Sequence, residues 1–244
     1  MSDSSRPIRL VAVAGARPNF MKIAPLLREL RGRWHRGRPR FQVFLVHTGQ
    51  HYDEAMSSGF FRDLGIPEPD ANLGVGSGSH AEMTAEVLRR MEPILAEQRP
   101  AALVVVGDVN STLASALAAA KLEVPVAHVE AGLRSFDRRM PEEINRILTD
   151  ALSRWLFVTE PAGAANLRRE GIEASHVHHV GNVMIDTLLA NVEKARQRPV
   201  LDTLGLAPRR YAALTLHRPS NVDEPDRLRA LFAVLEEIHE ELPV

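Results

Sequence analysis

Two rhythms of hydrophobic positions alternate along this chain. Short, mainly apolar runs occur at Ile8 to Ala14, Phe41 to Val46, Ala101 to Val106, Val124 to Val129, Trp155 to Val158 and His176 to Val180. Between them lie stretches with helical spacing: Pro18 to Leu30, with Met21, Ile23, Leu26, Leu27 and Leu30 on one face, then Tyr52 to Leu64, His80 to Glu97, Ser111 to Lys121, Pro141 to Leu152 and Pro161 to Glu170. Strands that are apolar on both faces and alternate with helices predict a parallel sheet covered on both sides, a doubly wound α/β domain of Rossmann-like type. In such sheets ligands bind beyond the carboxyl ends of the strands, which directs attention to Gly15-Ala16-Arg17, His47-Thr48-Gly49-Gln50-His51, Gly107-Asp108 and Glu130.

Past Gly181-Asn182 the pattern predicts a helix from Val183 to Arg198, a strand from Tyr211 to Leu216 ending in His217-Arg218-Pro219, and a helix from about Asp226 to Glu241. This reads as a first domain over 1–181 and, over 182–244, a linking helix with the opening βα unit of a second domain. A lone helix, strand and helix cannot bury a core of their own, so either they pack on the first domain or the chain is cut short.

Composition narrows the functional classes. The 244 residues are 45% hydrophobic, with 30 Lys and Arg against 31 Asp and Glu. This balance gives no reason to expect a nucleic-acid or membrane surface, so a phosphate site must be local. No cysteine is present, which excludes disulfides and thiolate metal sites and suits a reducing cytoplasm. The polar start Met1-Ser2-Asp3-Ser4-Ser5-Arg6 is not a signal peptide, and the longest apolar runs fall well short of the roughly 20 residues that span a bilayer.

The densest chemistry lies between Val124 and Arg146, where Glu130, Arg134, Glu142 and Arg146 gather on one strand, loop and helix start. Carboxylates can move protons and guanidiniums can hold phosphates. Asp108, at the end of the preceding strand, adds a third acid. The Gly15-Ala16-Arg17-Pro18 turn opens a helix, favours an anion, and brings Arg17 and Lys22. It lacks the Gly-x-Gly-x-x-Gly dinucleotide fingerprint, which disfavours NAD.

Each feature also has a plainer account. Pro141-Glu142-Glu143 is a favourable helix start in its own right, a reading strongest for Glu143. Glu142 and Arg146 form an ordinary i,i+4 pair worth about 0.2 to 0.5 kcal/mol when exposed. His176, His178 and His179 have no neighbouring carboxylate and read as surface or packing residues, not metal ligands.

Taken together, these residues resemble the non-hydrolysing UDP-N-acetylglucosamine 2-epimerases. The matching pieces, in order, are Gly15-Ala16-Arg17-Pro18 with Lys22, Gly49-Gln50-His51, Gly107-Asp108, His128-Val129-Glu130-Ala131-Gly132-Leu133-Arg134, Pro141-Glu142-Glu143-Ile144-Asn145-Arg146, Gly181-Asn182 and His217-Arg218. The resemblance implies two Rossmann-like domains in a GT-B arrangement, a homodimer, no metal or nicotinamide, and interconversion of UDP-GlcNAc with UDP-ManNAc. It implies that Asp108, Glu130 and Glu142 carry the chemistry. Arg17, Lys22, Arg134, Arg146, His217 and Arg218 would bind the nucleotide phosphates or the reacting sugar.

The implied route breaks the C1–O bond to UDP while a base removes the C2 proton, giving 2-acetamidoglucal and UDP. Readdition, with proton delivery from the other face, completes the inversion. A hydrolysing epimerase releasing ManNAc and UDP, or a catalytically incomplete binding or dimerisation fragment, are the alternatives. Family members commonly read His-Arg-Arg-Glu-Asn where this chain has His217-Arg218-Pro219-Ser220-Asn221, and arginine where it has Tyr52, so allosteric activation by UDP-GlcNAc is not expected.

Overall fold

The computed structural model describes residues 6–15, 17–35, 37–49, 61–216 and 219–243. Nine strands are assigned among them: β1 Ile8–Ala14, β2 Trp34–His35, β3 Arg38–Pro39, β4 Phe41–His47, β5 Ala71–Asn72, β6 Ala102–Val106, β7 Val126–Ala131, β8 Trp155–Val158 and β9 Val177–His179. Seven of them form one sheet in the order β5-β4-β1-β6-β7-β8-β9, and β2 and β3 form a separate antiparallel hairpin. Every pairing in the large sheet is parallel. The order reverses between β1 and β6, the switch point where α/β sheets open a crevice beyond the strand ends.

The central strands are buried on both faces, as their uninterrupted apolar runs predict. On β1 and β6, Val11, Val13, Leu103 and Val105 pack with Met91 and Leu95 of the helix His80–Gln98 and with Ala114 and Ala118 of the helix Asn110–Lys121. The alternate residues Ala12, Ala14, Val104 and Val106 face Phe20, Ile23 and Leu27 of the helix Arg17–Gly32. Each fully buried Val, Leu, Ile, Phe or Met of this set contributes roughly 1.5–3 kcal/mol. Local signals agree with the packing: Ser79 and Glu82 form a reciprocal capping box at the start of the His80–Gln98 helix, and Pro141 occupies the first turn of the helix Pro141–Leu152.

The chain divides into two compact units, the first ending at Asn191 and the second beginning at Val192. The division falls inside the helix Val183–Arg196, whose Thr187 hydroxyl donates to the Met21 carbonyl and ties the helix's first half to the sheet domain. The second unit contains the helices Val200–Leu204, Pro219–Val222 and Pro225–Glu241. Phe232, Val234 and Ile238 of the last helix are exposed.

One expected element is not formed as predicted. Tyr211 to Leu216 carries no strand; within it the Ala212 N–H donates to the Pro243 carbonyl at 2.7 Å. An apolar run becomes a strand only where a ladder partner is available, and the described residues of the second unit contain no other strand. The expected helix Tyr52 to Leu64 falls largely outside the described residues.

Candidate active site

Two acids stand at the carboxyl ends of the adjacent strands β6 and β7, and each meets a cation. β6 ends at Val106, whose carbonyl accepts from Asn19 Nδ2 at 2.7 Å and Thr112 Oγ1 at 3.0 Å. Gly107 follows with φ +70°, and Asp108 after it. On β7 the expected boundary is corrected: the strand does not stop at Val129 but runs through Glu130 to Ala131. Pairing with β8 shifts register between Val129 and Ala131, and Glu130 has φ 72°. For a residue other than glycine this left-handed geometry costs on the order of 1–3 kcal/mol, a strain typical of functional positions. Lys22, from the helix Arg17–Gly32, forms an ion pair with Glu130 Oε2. A Cβ at Gly107 would lie 3.1 Å from Lys22 Nζ and 3.3 Å from Glu130 Oε2, so this turn approaches the ion pair directly.

Arg146 holds Asp108, with Nη1 2.5 Å from Oδ2. The expected i,i+4 pairing of Arg146 with Glu142 is not present. Arg146 instead donates from Nε at 3.0 Å and from Nη2 at 2.8 Å to Glu143 Oε2. The Glu142 side chain is half-buried, and its carboxylate makes no hydrogen bond or ion pair among the described residues. Glu143, whose plain reading was a helix-start acid, is 1% exposed and also accepts from the Ser135 and Phe136 N–H groups at 2.9 and 3.0 Å. Burial would raise its carboxyl, but the Ser135 N–H, the Arg146 guanidinium and the Phe136 N–H outweigh that and hold it at about 2. Asn145 Nδ2 donates to the Asp108 carbonyl at 2.8 Å. A signal for these inward residues lay in the sequence: Glu143, Arg146 and Asp150 follow i, i+3, i+7 along one helix face, with Ile144 and Leu148 on another.

Arg134 is placed differently from the acids. Its side chain is 1% exposed, with Nη2 2.8 Å from Asp150 Oδ2 and 2.6 Å from Glu170 Oε2. Burial lowers its pKa, but Glu170 and Asp150 outweigh this and raise it. Arg17 begins its helix at the expected turn, but its side chain lies outside the described residues, as do His217 and Arg218. His178 packs against the Phe157 ring at 5.5 Å. Among the described residues no group of three or more His, Asp and Glu gathers where it could hold a metal ion. None of their helices is long and apolar enough to cross a membrane.

Paired carboxylates and cations at adjacent strand ends are suited to moving a proton beside a bound anion. The family model described as UDP-N-acetylglucosamine 2-epimerase matches residues 34–244. The chain belongs to this epimerase family. A UDP-N-acetylglucosamine 2-epimerase homolog of Methanococcus maripaludis is 43% identical over 237 residues, covering 96% of this chain and 64% of that protein. The UDP-2,3-diacetamido-2,3-dideoxy-D-glucuronate 2-epimerase of Pseudomonas aeruginosa is 42% identical, covering 95% of this chain and 63% of that protein. The crystal structure of the Methanocaldococcus jannaschii UDP-GlcNAc 2-epimerase, in complex with UDP-GlcNAc and UDP, superposes with a TM-score of 0.85 at 42% identity, over 96% of this chain and 63% of that one. The chain thus spans less than two thirds of the length of these epimerases.

Proposed function

We propose that this chain is the acid-bearing part of a non-hydrolysing 2-epimerase that interconverts UDP-GlcNAc and UDP-ManNAc. The observation that carries the reading is the pairing of Asp108 with Arg146 and of Glu130 with Lys22 at the ends of two adjacent parallel strands. Family membership and the UDP-GlcNAc complex of a 42% identical relative support the substrate class. Residues 1–181 form the first domain in this reading, and 182–244 begin a second, UDP-binding domain of a GT-B pair.

The chemistry needs a base at C2 and help for the leaving diphosphate. One of Asp108, Glu130 and Glu142 removes the C2 proton as the C1–O bond breaks, which yields UDP and 2-acetamidoglucal. Addition of UDP back to C1, with a proton delivered to the opposite face of C2 by a second acid, gives the epimer. Atoms and charge balance without a metal or nicotinamide. Lys22 and Arg146, with Arg17, His217 and Arg218, stabilise the departing diphosphate. Arg134, bonded to two carboxylates, supports the loop after β7 and does not reach substrate in this reading.

A homodimer fits the outer face of the helix Pro141–Leu152, where Ile144 and Leu148 are exposed beside Met140 while Glu143, Asn145, Thr149 and Asp150 face inward. A second substrate reading follows from the Pseudomonas relative: UDP-2,3-diacetamido-2,3-dideoxy-D-glucuronate would undergo the same inversion at C2.

The test is incubation of the protein with each nucleotide sugar in D₂O, followed by proton NMR. Deuterium at C2 with formation of the epimer supports the proposal, and the sugar turned over faster names the substrate. Release of free ManNAc with UDP would replace it with hydrolysing chemistry. No exchange with either sugar, in a chain extended to the length of its relatives, would overturn it.

A further inference from the structure

A buried row of polar side chains lies behind the two acids, and the proton chemistry above does not use it. Asp150, 1% exposed on the helix Pro141–Leu152, sits at its centre. Its Oδ1 is 2.6 Å from His128 Nδ1, and on the other side of that fully buried ring Nε2 is 2.8 Å from the Gly107 carbonyl. Its Oδ2 accepts from the Gly132 N–H at 3.0 Å and from Arg134 Nη2 at 2.8 Å. Burial would raise the Asp150 carboxyl, but His128 and Arg134 outweigh this and lower it, so it remains a carboxylate.

What these bonds hold explains their importance. Gly107 and Gly132 have φ +70° and +78°, and they flank the acids: Gly107 directly precedes Asp108, and Gly132 lies two residues beyond Glu130. Glycine in the left-handed region is where a backbone turns most easily, so an unanchored peptide there would let the attached acid swing. Displacement by about 1 Å can cost on the order of 10²-fold in rate.

We propose that Asp150 is a positioning residue for both acids, fixing Asp108 through His128 and the Gly107 carbonyl, and Glu130 through the Gly132 N–H. The inference rests on the reading of Asp108 and Glu130 as the proton-transferring acids. It also gives Arg134 its place, as the cation that pairs with Asp150 from the loop side.

The test compares Asp150→Ala, which removes both anchors, with Asp150→Asn, whose amide can donate to His128 Nδ1 and accept from Gly132. His128→Leu, which removes only the Gly107 anchor, serves if Asp150→Ala does not fold. Amide hydrogen exchange is read first, because it needs no turnover. The Asp150→Ala protein is expected to exchange at least about 10-fold faster at Gly132 and around Gly107-Asp108, with β1, β4 and β6 unchanged, and His128→Leu to do so around Gly107-Asp108 alone. Unaltered exchange at these places, or faster exchange throughout the domain, would overturn the inference.

With UDP-GlcNAc in D₂O, kcat of Asp150→Ala is expected to fall about 100-fold with KM within about threefold, and Asp150→Asn to recover most of the loss. A fall no greater than the unfolded fraction, or no recovery in Asp150→Asn, would also overturn it. A parent protein that neither exchanges nor epimerises counts against the function proposed above, while the hydrogen-exchange comparison still decides the role of Asp150.

Discussion

Arg146 donates to Asp108 across 2.5 Å and leaves Glu142, its neighbour one helical turn earlier, without an ion pair among the described residues. The guanidinium turns inward because Glu143 supplies a second, buried acceptor on the same side. Arg146 is thus shared between a buried carboxylate that fixes it and a half-buried one that it serves. Glu142 keeps an uncommitted carboxylate at the helix start, which suits an acid that must exchange its proton.

Removing the shared cation should be expensive. Arg146→Met would leave Glu143 charged and without its counter-ion, and the expected loss is about 3 kcal/mol of unfolding free energy. Urea denaturation at neutral pH measures this; a loss below about 1 kcal/mol would show that the Ser135 and Phe136 N–H groups suffice alone.

Glu143 should also leave a signature in acid. Its carboxyl lies at about 2 in the folded chain against an ordinary 4.5, so the unfolded chain takes up this proton first as acid is added. The stabilisation it provides is complete above about 4.5 and is lost as pH falls toward about 2. The stability difference between parent and Glu143→Gln should therefore be constant above that window and shrink within it, as denaturant midpoints over a pH series would reveal. A difference that grows on acidification would refute the assignment.

The two other acids should differ in what their amides do to the fold. Glu130→Gln leaves the half-buried Lys22 without its counter-charge and should destabilise by about 1–3 kcal/mol. Glu142→Gln removes no ion pair and should stay within about 0.5 kcal/mol of the parent. At least one of the two replacements should abolish deuterium incorporation at C2 if the proposed function holds, since two of the three acids act in it. Thermal unfolding separates the pair, and equal shifts would argue that the Lys22–Glu130 contact contributes little.

The two left-handed glycines should also respond differently. An added Cβ at Gly132 would stand 2.5 Å from the Gly163 carbonyl oxygen, a backbone atom that cannot move aside cheaply. Gly132→Ala should therefore lose more than about 3 kcal/mol. At Gly107 the nearest atoms are the ends of the Lys22 and Glu130 side chains, at 3.1 and 3.3 Å. Gly107→Ala should lose only about 1–2 kcal/mol, chiefly from the positive φ, while disturbing the ion pair. Circular dichroism melts read both, and the reverse ranking would contradict the geometry.

The amino-acid pattern alone determined the layered α/β fold, because strands buried on both faces must be continuously apolar and their helices must keep a 3.6-residue period. The bounds of Pro141–Leu152 and Trp155–Val158 are those the pattern predicts, residue for residue. It also marked Asp108 and Glu130, since a polar residue directly after or at the end of such a run has to emerge at a strand end. Partners were another matter. Arg146 was matched to Glu142 by spacing, yet a guanidinium can reach along or across its helix, and only the placement of the turn after β6 against that helix turned it to Asp108, with Glu143 on the same side. Arg134 read as a substrate-binding cation, yet Asp150 and Glu170, 16 and 36 residues further along the chain, enclose it. Periodicity is a property of one segment and can be read from it, whereas burial of a charge depends on which distant carboxylate the fold brings alongside, and that is decided in three dimensions.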